Sequence, residues 1–187
     1  MKTYIFFDRN PLENECGSRD ICGEDYIKLI DKCFEYCSMF AFRVYGEEKF
    51  PEELEQYRVY DVSDEFLEAY NFYGHSHGTL YIDSAKQALN QNILRYYKVC
   101  PQTRDLFMLV TDSIFKWICA FGYNYPEDPA FFRADGSLFF DSTIHEGECS
   151  LMPKEEENVS DIIMNGKWYI SRDGYDIEEI KEKTGNG

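Results

Sequence analysis

The sequence predicts an α+β fold, with helices in the first two thirds packed on a mainly antiparallel sheet and a β-hairpin region toward the C-terminus. Three observations carry this expectation. Apolar residues recur at helical spacing in several windows between residues 24 and 121. Apolar runs separated by turn dipeptides fill residues 130–171. The 187 residues, 44% hydrophobic and 17% aromatic, suffice for one core built largely from Phe and Tyr. Residues 1–171 read as a single acidic domain. Residues 172–187, charged and ending in Gly-Asn-Gly, read as a frayed tail with at most a short helix.

The elements follow in order. Tyr4-Ile5-Phe6-Phe7 makes residues 2–7 a buried opening strand, ended by the Asp8-Arg9-Asn10-Pro11 turn, and residues 13–23 are a loop. Ile27, Ile30, Phe34 and Cys37 lie three, four and three apart, which is one face of a helix over residues 24–40. A short strand over 41–45 leaves it. Two short helices are expected at 52–57 and 64–73, the second capped by Ser63. Residues 79–82 suit a strand and 85–98 a helix ended by Cys100-Pro101. Thr103 opens the most apolar helix, over 104–121, where Phe107, Val110, Ile114, Trp117, Ile118 and Phe121 form a broad stripe with Trp117 buried. Strands at 130–133 and 138–140 flank Asp135-Gly136, a dipeptide suited to a type I′ turn. Residues 149–152 and 167–171 are further strands, with Asn165-Gly166 between them as a second turn.

Charge is the most informative global property: 19 basic against 35 acidic residues leave a net charge of −16. Direct nucleic-acid or anionic-membrane binding needs Lys and Arg to neutralise phosphates, so both are disfavoured and a basic partner is expected. No window reaches the length of a membrane span, and residues 1–8 lack the features of a signal peptide, which predicts a cytoplasmic protein. The seven cysteines, Cys16, Cys22, Cys33, Cys37, Cys100, Cys119 and Cys149, are then expected to be reduced. Cys-x2-Cys knuckles are absent, so buried, inert thiols are favoured over a zinc site.

The acidic residues are segregated. Glu47, Glu48, Glu52, Glu53, Glu55, Asp61, Asp64, Glu65 and Glu68 face only Lys49 and Arg58. Residues 127–161 carry ten acids, Glu155, Glu156 and Glu157 in a row among them, against Arg133 and Lys154. Residues 84–116 between them are mildly basic. Two acidic blocks folded into one surface would attract a positive groove, and tyrosines such as Tyr57 and Tyr60 would supply apolar anchors. No phosphate loop, nucleophile elbow or zinc-protease helix is present, and no cofactor is called for.

These features predict a non-enzymatic inhibitor that blocks a basic nucleic-acid-binding effector or nuclease, its carboxylates standing in for phosphates. In charge, size and absence of catalytic motifs the chain is similar to phage-encoded anti-CRISPR and anti-restriction proteins, and to immunity proteins that neutralise nuclease toxins. The likeness is one of composition and covers no segment. The alternative is a metal-dependent or acid/base enzyme using His75, His77 and His145, or the carboxylates around Glu146. A cytosolic adaptor is the third reading.

Overall fold

In the computed structural model, residues 2–8, 19–44, 50–60, 93–118, 124–165, 168–171 and 177–179 are described. The segments expected as a helix at 64–73 and a strand at 79–82 lie outside them. Strands form where aromatic and aliphatic residues run or alternate: β1 (Thr3–Phe7), β2 (Met39–Val44), β3 (Arg58–Val59), β4 (Ile93–Lys98), β5 (Glu127–Phe132), β6 (Leu138–Thr143), β7 (Glu148–Leu151), β8 (Trp168–Ser171) and β9 (Ile177–Glu179). They build one nine-stranded sheet of order β3-β4-β2-β5-β6-β7-β1-β8-β9, and every neighbouring pair is antiparallel. The α+β architecture is therefore as predicted, but the sheet also draws on the first half of the chain.

Helix α1 (Glu24–Tyr36) buries Tyr26, Leu29, Ile30 and Cys33, so its inner face is rotated from the predicted one and Ile27 stays 44% exposed. It ends four residues early because Cys37 is extended and residues 39–44 belong to β2. Phe40 and Phe42, two apart on β2, point to one side of the pleat and lie in the main core. Ala41, between them, joins Tyr96, Ala130, Phe132, Leu138 and Met152 in a second cluster.

Two helix predictions are corrected. Residues 93–98, expected to end a helix, form β4, held between β2 and β3. The helix expected over 104–121 is α2 (Pro101–Val110), opened by Cys100. Thr103 sits inside its first turn, where its hydroxyl accepts the Cys100 N–H at 3.0 Å. The helix stops at Thr111, which is extended. Thr111 Oγ1 accepts the Ser113 N–H at 3.2 Å and donates to the Ser113 carbonyl at 3.3 Å, a local alternative to helical hydrogen bonds. A 3₁₀ turn, Ile114–Lys116, then delivers Trp117 to the core. Trp117 is buried as expected, though not on a helix.

Its ring lies 4.8 Å from that of Phe107 and 4.9 Å from that of Phe42. The indole N–H donates to the Tyr26 hydroxyl at 3.1 Å, which donates to the Phe107 carbonyl at 3.1 Å, so α1, α2 and the 3₁₀ turn are tied together beneath their apolar faces. A short helix α3 (Ser160–Ile163) buries Ile162 nearby.

The predicted hairpin is present as β5 and β6, joined through residues 133–137. Its turn is not type I′, because only Gly136 takes positive φ (80°) and Asp135 does not. Asp135 instead accepts the Ser137 N–H through its carboxylate at 2.9 Å. Residues 177–179 of the expected tail are also not helical: they pair with β8 at the sheet edge.

Candidate functional site

Pro51 precedes a 3₁₀ segment, Glu52–Tyr57, whose Leu54 is buried and anchors it to the fold. The carboxylates around that anchor point outward. Glu52 and Glu53 are exposed and make no ion pair or side-chain hydrogen bond among the described residues. Glu55 Oε1 accepts hydrogen bonds from Arg58 and the Tyr60 hydroxyl, both at 2.8 Å, which hold its carboxyl below the usual range. Tyr60 is 75% exposed, with the Arg58 guanidinium 4.7 Å from its ring centre. Tyr57 is half-buried. Glu47, Glu48, Asp61, Asp64, Glu65 and Glu68 lie outside the described residues, as do His75 and His77.

The second acidic block divides. Glu155 and Glu156 are exposed and likewise without an ion pair among the described residues. Glu157 turns inward to Arg133, whose Nε and Nη2 donate to its two carboxylate oxygens, both at 2.6 Å. The remaining Arg133 donors reach the carbonyls of Leu138 and Met152, both at 2.7 Å, and Ser137 Oγ at 3.1 Å. Burial opposes the charge on Glu157, but the hydrogen bonds from Arg133 and the Lys154 N–H outweigh it and hold its carboxyl below the usual carboxylate range. The Glu157 carboxylate is therefore a fold contact and is not presented to a partner. Lys154 Nζ also crosses to Asp135 at 2.6 Å, which fastens residues 154–157 to the hairpin tip.

Strand register puts the 3₁₀ segment Glu52–Tyr57 of the first block and residues 154–157 of the second at one end of the sheet. Met39 opens β2 opposite both Lys98, the last residue of β4, and Phe132, the last of β5. Arg58, the first residue of β3 and the one that follows the 3₁₀ segment, pairs with Tyr97. The hairpin tip and the 3₁₀ segment thus flank the same edge of the fold, three strand spacings or roughly 14 Å apart.

The other end of β2 and β5 holds a different cluster. Arg43 pairs in register with Glu127, and its Nη1 lies 3.1 Å from Oδ2 of Asp128. Asp128 is the one described non-glycine residue at positive φ (51°), a conformation that Asp tolerates better than most residues. Its Oδ1 accepts the Ile144 N–H at 2.8 Å, so it pins the 3₁₀ turn Ile144–Glu146 to the start of β5. Burial pushes the Asp128 carboxyl up to about 6, and Arg43 offsets that only in part. His145, half-exposed, stands beside it, with Nε2 3.8 Å from the Glu146 carboxylate. The sequence had singled out His145 and Glu146 but had counted Glu127 and Asp128 only as charge. An Asp between a Glu and a Pro carries no sign that it will be buried.

Cys33 and Cys149 are fully buried, and burial pushes both thiols well up, away from the reactive thiolate. Cys22, Cys37 and Cys100 are also free thiols, and Cys16 and Cys119 lie outside the described residues. No helix among the described residues is long and apolar enough to cross a membrane. Comparison with protein-family models, with curated proteins and with solved structures finds no match for this chain.

Proposed function

We propose that the protein is an acidic inhibitor that docks its carboxylates into the nucleic-acid groove of a basic effector, such as a nuclease or a defence enzyme, and so excludes the nucleic acid. The observation that supports this reading is a set of four exposed carboxylates, Glu52, Glu53, Glu155 and Glu156, left without ion pairs among the described residues in a chain of net charge −16. Carboxylates that only maintained solubility would serve equally well when paired with nearby lysines, as Lys32 with Glu35 and Lys28 with Glu24 are on α1. Tyr60 adds an exposed, rigid aromatic beside the first pair, of the kind that anchors interfaces.

Unpaired carboxylates on two segments at one end of the sheet present separated negative charge, as a nucleic-acid backbone does. They would raise the rate of encounter with a positive groove and give the complex its salt sensitivity. The experiment is capture of the partner from the cell that makes the protein, followed by competition. A captured protein that binds nucleic acid, and is released both by that nucleic acid and by rising salt, supports the reading. A partner with no affinity for nucleic acid, or one that binds it and this protein together, contradicts it.

A further inference from the structure

Glu127 and Asp128 open β5, and His145 lies in the 3₁₀ turn after β6, at the sheet end opposite the exposed carboxylates. One potential donor atom from each of the three lies within 4.8 Å of the other two. We infer that Glu127, Asp128 and His145 form a binding site for a divalent first-row cation such as Mn²⁺ or Zn²⁺, with two carboxylate oxygens and one imidazole nitrogen as ligands and the remaining positions open to water.

Acidic side chains close together would not by themselves make such a site. Two further features do. The imidazole is a borderline-soft donor that converges on the same point from a separate element. In addition, the Asp128 side chain is only 2% exposed, yet its Oδ2 receives no hydrogen bond among the described residues, whereas Oδ1 is held by Ile144. Arg43 stands 3.1 Å from Oδ2 as an ion-pair partner, but none of its N–H groups is aligned on that oxygen. The groups that act on Asp128 are Arg43 from β2, Asp141 from β6 and His145 from the 3₁₀ turn, with Glu127 adjacent on β5.

Donors around a cation at about 2.1 Å can be no more than about 4.2 Å apart, so any pair near the 4.8 Å bound has to close slightly. His145 has a half-exposed side chain and can supply that movement by rotation. The Glu146 carboxylate, 3.8 Å from Nε2, is near enough to accept the ring's other N–H after the same shift, the usual partner of a metal-bound imidazole.

The test uses the full chain, stripped with chelator and titrated with Mn²⁺ alone and with Zn²⁺ alone, and followed by native mass spectrometry and calorimetry. One equivalent should bind, and Mn²⁺ should broaden the His145 ring signals in NMR spectra. His145→Ala removes an exposed ring and leaves the core intact, so it should fold as judged by circular dichroism while weakening binding at least about tenfold. Glu127→Gln should act in the same direction, and the double variant His75→Ala/His77→Ala should bind as the parent does. Absence of stoichiometric uptake, uptake that survives His145→Ala, or uptake lost in the His75/His77 variant would overturn the assignment. None of these outcomes depends on the acidic docking surface.

Discussion

Arg133 and Glu157 are ionised side chains taken out of water together, with exposures of 6% and 8%. Such a pair adds little net stability over apolar replacements, but removing one partner leaves a buried, uncompensated charge. Glu157→Gln or Arg133→Ala is therefore expected to lower unfolding free energy by about 3–5 kcal/mol in urea denaturation, while Glu155→Lys and Glu156→Lys change it by no more than about 0.5 kcal/mol. The pH dependence follows from the same contact. The folded Glu157 carboxyl is held below its unfolded value of about 4.3, so its stabilisation is complete above that pH and is lost as pH falls through the lower folded value. The stability gap between the parent and Glu157→Gln should thus be widest near neutrality and shrink below about pH 4. A gap independent of pH would show that the ion pair is not its origin. Three consecutive glutamates look alike in a sequence. Only the return of residues 154–157 over the hairpin distinguishes the third, which is why Glu157 reads there as a surface ligand.

At the scale of elements, helical spacing predicted α1 and the first part of α2 but ran past the point where the second helix stops. Phe107, Val110, Ile114 and Trp117 all contribute to the core or pack against it, so their spacing is compatible with a longer helix. The stop lies at Thr111, whose hydroxyl takes up the backbone N–H and C=O of Ser113 in place of helical hydrogen bonds. Residues 93–98 were misread for a related reason: Leu94, Tyr96 and Tyr97 fit either period, and the decisive strand partner, β2, lies about fifty residues away in sequence. The packing of α2 yields a test. Phe107 is buried against Phe40, Phe42, Phe131 and Trp117, whereas Leu109, two residues later, is 81% exposed. Phe107→Ala should destabilise by about 3–5 kcal/mol and Leu109→Ala by less than about 0.5 kcal/mol, measured by thermal or urea unfolding. Equal effects would mean that the α2 face is wrongly assigned.

Across the whole molecule, the acidic excess was fully legible from composition, and the fold class from periodicity and turn chemistry. The arrangement of charge was not, because it depends on strand order. The register of β2 with β4 and β5 brings the hairpin tip and the 3₁₀ segment to one edge, and it sends Glu127, Asp128 and His145 to the other. Reversing Glu52, Glu53, Glu155 and Glu156 to Lys together should leave folding intact, since all four are exposed and unpaired among the described residues. With each exposed contact worth ~0.2–1 kcal/mol, the combined loss in partner affinity is about 2 kcal/mol, roughly thirtyfold. The most direct test is the affinity of the captured partner for the parent and for this fourfold variant, measured across a salt series with and without the partner's nucleic acid. The account predicts that parent binding weakens steeply with salt and is displaced by the nucleic acid, and that the variant binds roughly thirtyfold more weakly with a shallower salt dependence. Equal affinity and equal salt dependence for the two proteins, with the variant correctly folded, would contradict it.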